Sequence, residues 1–103
     1  MTETSSSICA WGDETFGKVS DPVKLAERAE LELTELKEAL IAGDVTEAGK
    51  EAADVTILLH RLMAVLGKDL SNEVDAKMAI NRAREWQSAG DGTGSHSQKS
   101  PEE

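Results

Sequence analysis

The sequence predicts an all-α fold: an antiparallel helical bundle of three main helices, completed by oligomerisation. Three observations carry this. Apolar residues between positions 21 and 86 recur at spacings of three and four, the period of one face of a helix. No stretch alternates apolar and polar residues as a half-buried strand does. Each periodic run is bracketed by residues that start and stop helices.

The first 20 residues begin with MTETSSSIC, which has no period, and continue into AWGDETFG, which holds two of the three aromatic residues. This segment is expected to be partly ordered, with residues 11–17 near the site developed below. The first helix starts with Ser20 or Asp21 as its cap and Pro22 in its first turn, and it stops at Gly43. The second is capped by Asp44, with Glu47 three residues on in a variant of the capping box, and stops at Gly67. The third begins at Ser71, carries Glu73 and Asp75 near its positive end, and runs to about Trp86. The helical domain therefore spans residues 21–87, and its short loops predict antiparallel neighbours. Residues 88–103, SAGDGTGSHSQKSPEE, contain no large apolar side chain and are expected to form a disordered tail.

Composition narrows the function. At 103 residues, 39% hydrophobic and 3% aromatic, the chain is one small domain with a thin core. On the second helix Val55, Ile57, Leu58, Leu59, Leu62, Met63, Val65 and Leu66 point in nearly every direction, which predicts a homodimer or homotetramer. A formal charge of −9 excludes a nucleic acid polymer and anionic membranes as partners, so an anionic ligand needs a cation to mediate. Cys9 is the only cysteine, which rules out an internal disulfide and a Cys-rich zinc site. The start lacks the pattern of a secretory signal, and no apolar run approaches the roughly 20 residues needed to span a bilayer. A cytoplasmic location is expected.

The acidic residues are patterned. A heptad seam runs through Ala26, Ala29, Leu33, Leu36 and Leu40 on the first helix, and another through Ala48, Ala52, Val55, Leu59, Leu62 and Leu66 on the second. In that frame Glu32 and Glu35 occupy the same flanking positions as Glu51 and Asp54. Antiparallel packing would bring the four carboxylates together, where they repel unless a divalent metal joins them. An all-carboxylate set suits Mg²⁺ or Mn²⁺, which also accept phosphate oxygens. A di-iron site is excluded because Ile57, not Glu, precedes His60 at the required spacing, and no EF-hand loop is present. On the third helix Lys77, Asn81 and Arg84 form one stripe suited to gripping phosphate. Trp11 and Phe16 suit stacking on a base, with Thr15 or Asp13 at its edge, and equally suit covering the open end of the bundle. Arg28 stands one turn before Glu32, placed to pair with it. His60 fits an interface or core position.

ELTE (32–35), EAAD (51–54) and KMAINRAREW (77–86), at these intervals, resemble the MazG-like branch of the all-α NTP pyrophosphohydrolase superfamily, whose signature is E-E-x-x-E, then E-x-x-D, then K-x-x-x-N-x-x-R-x-[WYP]. The resemblance spans Trp11 to Trp86. AWGDETFG and LAERAELE, with Arg28, resemble a phage and bacterial subgroup in which W-x-x-x-T-F-G precedes R-x-x-x-E. One departure is Leu31, which stands where the signature has its first Glu; Glu38 is a nearby further acid. The resemblance implies hydrolysis of nucleoside triphosphates between the α and β phosphates, to monophosphate and pyrophosphate. It implies Mg²⁺, with Mn²⁺ as a substitute, held by Glu32, Glu35, Glu51 and Asp54, and phosphates held by Lys77, Asn81 and Arg84. The subgroup points to deoxynucleotides and control of the dNTP pool. Two other readings stand beside this: a non-catalytic acidic helical interaction module, and an enzyme acting on a related pyrophosphate-containing substrate.

Overall fold

The structure, a computed structural model, describes residues 2–96. Among these residues the chain forms four helices, α1 (Ser5–Phe16), α2 (Pro22–Ala42), α3 (Val45–Val65) and α4 (Leu70–Ala83), then two short strands, β1 (Trp86–Ser88) and β2 (Gly94–His96). The fold is all-α in class, as the periodicity requires. The chain divides into two compact units, Met1–Ser71 and Asn72–Glu103.

In the first unit α2 packs along α3, and α1 packs on α3. The Asp21 side chain accepts from the Val23 amide at 3.0 Å and Pro22 opens the helix, which satisfies donors that α2 cannot satisfy itself. Gly43, at φ 72°, ends α2 in the left-handed conformation that a Cβ disfavours. The Asp44 amide then reaches back to the Ala39 carbonyl at 3.0 Å, while the Asp44 carboxylate accepts from the Glu47 amide at 3.0 Å and starts α3. The two helices are thus joined by two residues and run antiparallel.

Two expectations need correction in this unit. The N-terminal segment is helical from Ser5, because Thr4 and Ser7 cap each other: the Ser7 amide donates to Thr4 Oγ1 at 3.1 Å and the Thr4 amide to Ser7 Oγ at 2.8 Å. The seam is also rotated by about one residue. On α2 the inward stripe is Leu25, Ala29, Glu32, Leu36 and Ala39, whereas Leu33 and Leu40 are exposed. On α3 it is Ala48, Glu51, Val55, Leu58 and Leu62, whereas Ala52 and Leu66 are exposed. Glu32 and Glu51 therefore lie on the facing stripes, not on their flanks.

In the second unit α4 ends at Ala83, short of the expected Trp86, and Arg84 follows the last turn. β1 pairs antiparallel with β2, Trp86 opposite His96, and the two rings meet edge to face at 5.8 Å. Trp86 Nε1 donates to the Asn81 carbonyl at 2.7 Å, tying the hairpin to the end of α4. Asp91 shapes the turn by accepting from the Thr93 amide at 3.0 Å and the Thr93 hydroxyl at 2.6 Å. Those two bonds hold the Asp91 carboxyl below its ordinary range. Of the expected disordered tail, residues 88–96 carry this hairpin, and residues 97–103 lie outside the described residues.

Candidate functional site

Glu32 and Glu35 come from one and the next turn of α2, and Glu51 from the facing turn of α3. One carboxylate oxygen of each lies within 4.8 Å of the others. Glu51 is 8% exposed, and its Oε2 is buried with no hydrogen-bond partner among the described residues. The reason is chemical: its neighbours are carboxylates, and ionised carboxylates only accept. A proton shared among them supplies the missing donor. The Glu51 carboxyl is accordingly pushed up to about 8, first by its hydrogen bond with Glu32, then by burial, then by hydrogen bonds with Glu35 and Glu47. A divalent cation would meet the same need for several oxygens at once, and an all-oxygen, all-anionic donor set suits a hard ion of the Mg²⁺ or Mn²⁺ kind.

Asp54 lies one turn along α3 from Glu51, exposed, outside the tight group of three. It shares with Glu32 a cavity of about 180 Å³ whose wall also includes Trp11, Phe16, Arg28 and Ile57. The structure thus gathers six expected residues of the first unit beside one another: Glu32, Glu35, Glu51, Asp54, Trp11 and Phe16, with Arg28 adjacent. Trp11 is 52% exposed and Phe16 67% exposed, and the rings meet edge to face at 5.5 Å. Thr15 is exposed on α1 and does not line this cavity. Glu38 is exposed on α2 and outside the group of three. In the second unit Lys77 is exposed on α4 and Asn81 and Arg84 are half-buried; Asn81 Oδ1 is buried without a hydrogen-bond partner among the described residues.

His60 fills the interface position expected of it: its Nδ1 is in contact with Ser5 Oγ, and the Cys9 thiol donates to its backbone carbonyl at 3.6 Å. Burial raises the Cys9 thiol above its ordinary range, Asp13 adds to the rise and Arg61 opposes it. Arg61 and Gly12 were not among the expected site residues, yet both are buried where α1 meets α3. The available signal was a cation inside the apolar run ILLHRLMAVL.

No protein-family profile matches the chain. Two curated relatives do. The chain is 35% identical over 96 residues to a dATP/dGTP diphosphohydrolase of Salmonella phage PMBT28, covering 93% of this chain and 31% of that protein. It is 46% identical over 57 residues to a dATP/dGTP diphosphohydrolase of Cyanophage S-2L, covering 55% of this chain and 54% of that protein. The matches therefore span about a third and about half of the length of these relatives. Among solved structures, the Cyanophage S-2L MazG-like pyrophosphohydrolase, bound to dGDP and three catalytic Mn²⁺ ions per active site, superposes with a TM-score of 0.71. That match has 33% identity and covers 93% of this chain and 91% of the other.

Proposed function

We propose a function from the premise that the chain belongs to the MazG-like pyrophosphohydrolase family: it hydrolyses deoxynucleoside triphosphates between the α and β phosphates, releasing monophosphate and pyrophosphate. The observation that carries the reading is the convergence of Glu32, Glu35 and Glu51 within 4.8 Å around a buried, partnerless Glu51 oxygen. Such a cluster costs stability unless it holds a cation. The relative bound to dGDP and Mn²⁺ supports both the metal and the deoxynucleotide.

Glu32, Glu35, Glu51 and Asp54 would hold the cations, with Mg²⁺ the expected ion and Mn²⁺ its substitute. The metal, when bound, neutralises phosphate charge and acidifies water. The chain's own contribution is positional. Glu51, fixed on the inner stripe of α3, sets the depth of the centre, and Asp54 one turn away extends it towards the cavity where Trp11 and Phe16 offer aromatic surface to a base. Arg28 lines the same cavity as Glu32, but the ion pair expected between them is not formed among the described residues. The K-x-x-x-N-x-x-R motif supports Lys77, Asn81 and Arg84 as the groups that hold the outer phosphates.

The same reading carries a role in limiting the dNTP pool and a cytoplasmic setting. Among the described residues no helix is long and apolar enough to cross a membrane. It also carries self-association. Ile41, Val45 and Leu40 are 86%, 83% and 64% exposed in the single chain, apolar surface that a further copy would cover. The test is incubation with each common dNTP and NTP plus Mg²⁺ or Mn²⁺, with pyrophosphate and orthophosphate assayed separately. Pyrophosphate from deoxynucleotides is expected; orthophosphate alone would overturn the assigned bond.

A further inference from the structure

Among the described residues the fold buries two charged side chains, Glu51 and Arg61. The carboxylate centre accounts for Glu51 and leaves Arg61 without a role. Arg61 is 7% exposed and makes no hydrogen bond or ion pair among the described residues, an arrangement that is costly for a guanidinium. It is seated by shape. It lies against the α1 backbone at Gly12, where a Cβ would stand 2.7 Å from its Cζ and 2.8 Å from its Cδ, and its Cζ sits 5.4 Å from the centre of the Phe16 ring. It lines a cavity of about 310 Å³, with Asp13, Lys18, Val19 and Ala64 also on the wall. This cavity shares no wall residue with the one beside the carboxylates. It is a separate site, independent of the nucleotide reading.

The chemistry of the wall gives the occupant. Arg61 and Lys18 set two cations against one carboxylate, Asp13, in a chain whose formal charge is −9. The local excess is positive, which selects an anion. A guanidinium fork holds two oxygens at once, and the exposed Lys18 ammonium supplies a contact for a third. A carboxylate ligand has only two oxygens, whereas a tetrahedral oxyanion has more.

Asp13 adds a second condition. It makes no ion pair among the described residues, and an ionised carboxylate only accepts, so the ligand must bring a donor as well as its oxygens. Inorganic phosphate meets both conditions, because near neutral pH it keeps at least one P–O–H. Sulfate has the same shape and no proton, and a phosphate monoester loses its last proton at about pH 6. The volume takes the ion together with several waters of about 30 Å³ each. We propose that the cavity lined by Arg61, Lys18 and Asp13 is a metal-independent binding site for inorganic phosphate, in which Arg61 supplies the charge and Asp13 accepts from the phosphate hydroxyl and so rejects sulfate.

The experiment is titration calorimetry of the full chain with orthophosphate, sulfate and glycerol phosphate at about pH 8. Divalent metal is removed so that the carboxylate centre repels anions, and chloride holds the ionic strength constant. Orthophosphate should bind at least about tenfold more tightly than sulfate or the ester, since either of these leaves Asp13 facing another acceptor. In Arg61→Met, which keeps the stem and removes the charge, phosphate affinity should fall about tenfold to a hundredfold. The melting temperature of that variant should hold or rise, because an unpaired buried charge is gone. Asp13→Asn alters an exposed position and introduces an amide that also donates, so the preference for phosphate over sulfate should collapse. If Arg61→Met does not fold, the anion series on the parent and Asp13→Asn still decide. The proposal is overturned by absence of phosphate binding to the parent, by equal affinity for phosphate and sulfate, by undiminished phosphate binding in folded Arg61→Met, or by an unchanged preference in Asp13→Asn.

Discussion

Metal binding to the carboxylate centre should expel a proton. The Glu51 carboxyl is pushed up to about 8 from an ordinary 4.5, chiefly through its hydrogen bond with Glu32. At pH 7 roughly nine-tenths of metal-free sites therefore carry that proton. A divalent cation requires the carboxylates deprotonated. Loading with Mn²⁺ should then release about 0.9 proton per site at pH 7, about half at pH 8, and almost none above pH 9. Below pH 8 the apparent affinity should fall about tenfold per pH unit. Stability of the metal-free protein follows the opposite sign. Because the native pKa is raised, the native state binds the proton more tightly than the unfolded chain. The contribution of Glu51 is full below about 4.5 and is lost as pH rises through about 8. Titration calorimetry in buffers of different ionisation enthalpy counts the protons directly. Glu51→Gln, which has no proton to give, should release almost none. Proton-free binding of Mn²⁺ to the parent at pH 7, or equal release from the variant, would rule out a displaceable proton at Glu51.

Asp54→Asn alters an exposed helix residue, so its melting should shift by no more than about 0.5 kcal/mol, while pyrophosphate release falls by orders of magnitude; full activity in the variant would remove Asp54 from the site. Gly12→Ala gains about 1 kcal/mol of helix propensity and forces the Arg61 guanidinium away from α1 into the adjoining cavity. The melting temperature should move only a few degrees; a loss of more than about 10 °C would mean that Arg61 has no room to yield. The exposed Ile41, Val45 and Leu40 predict a dimer or larger by light scattering at micromolar concentration, and a monomeric mass would contradict that.

Local chemistry made much of this architecture legible. Asp21–Pro22, Gly43 and Asp44 mark the ends of α2 and α3, because caps answer to neighbours in sequence. What depends on distant partners was harder to read. α1 has a Ser-rich start of modest helix propensity and gains its stability by packing on α3. The hairpin after α4 has a Gly- and Ser-rich composition that resembles disorder, and it is held by Trp86, whose indole reaches Asn81 and meets His96. The rotation of the seam is the most instructive difference. Hydrophobic patterning turns Glu32 and Glu51 outward because a bare carboxylate avoids the interior. The fold turns them inward, where only a proton or a cation satisfies them. ExxE and ExxD were readable as a candidate metal set from spacing alone; the burial of Glu51 was not.

In the proposed reaction the carboxylate centre directs water to the α phosphorus. Hydrolysis of dGTP in H₂¹⁸O with Mg²⁺, followed by mass analysis of the products, tests it most directly. Unlabelled pyrophosphate and dGMP carrying one ¹⁸O are expected, with product formation abolished by chelation of the metal. Label in the pyrophosphate, or formation of dGDP and orthophosphate, would contradict it.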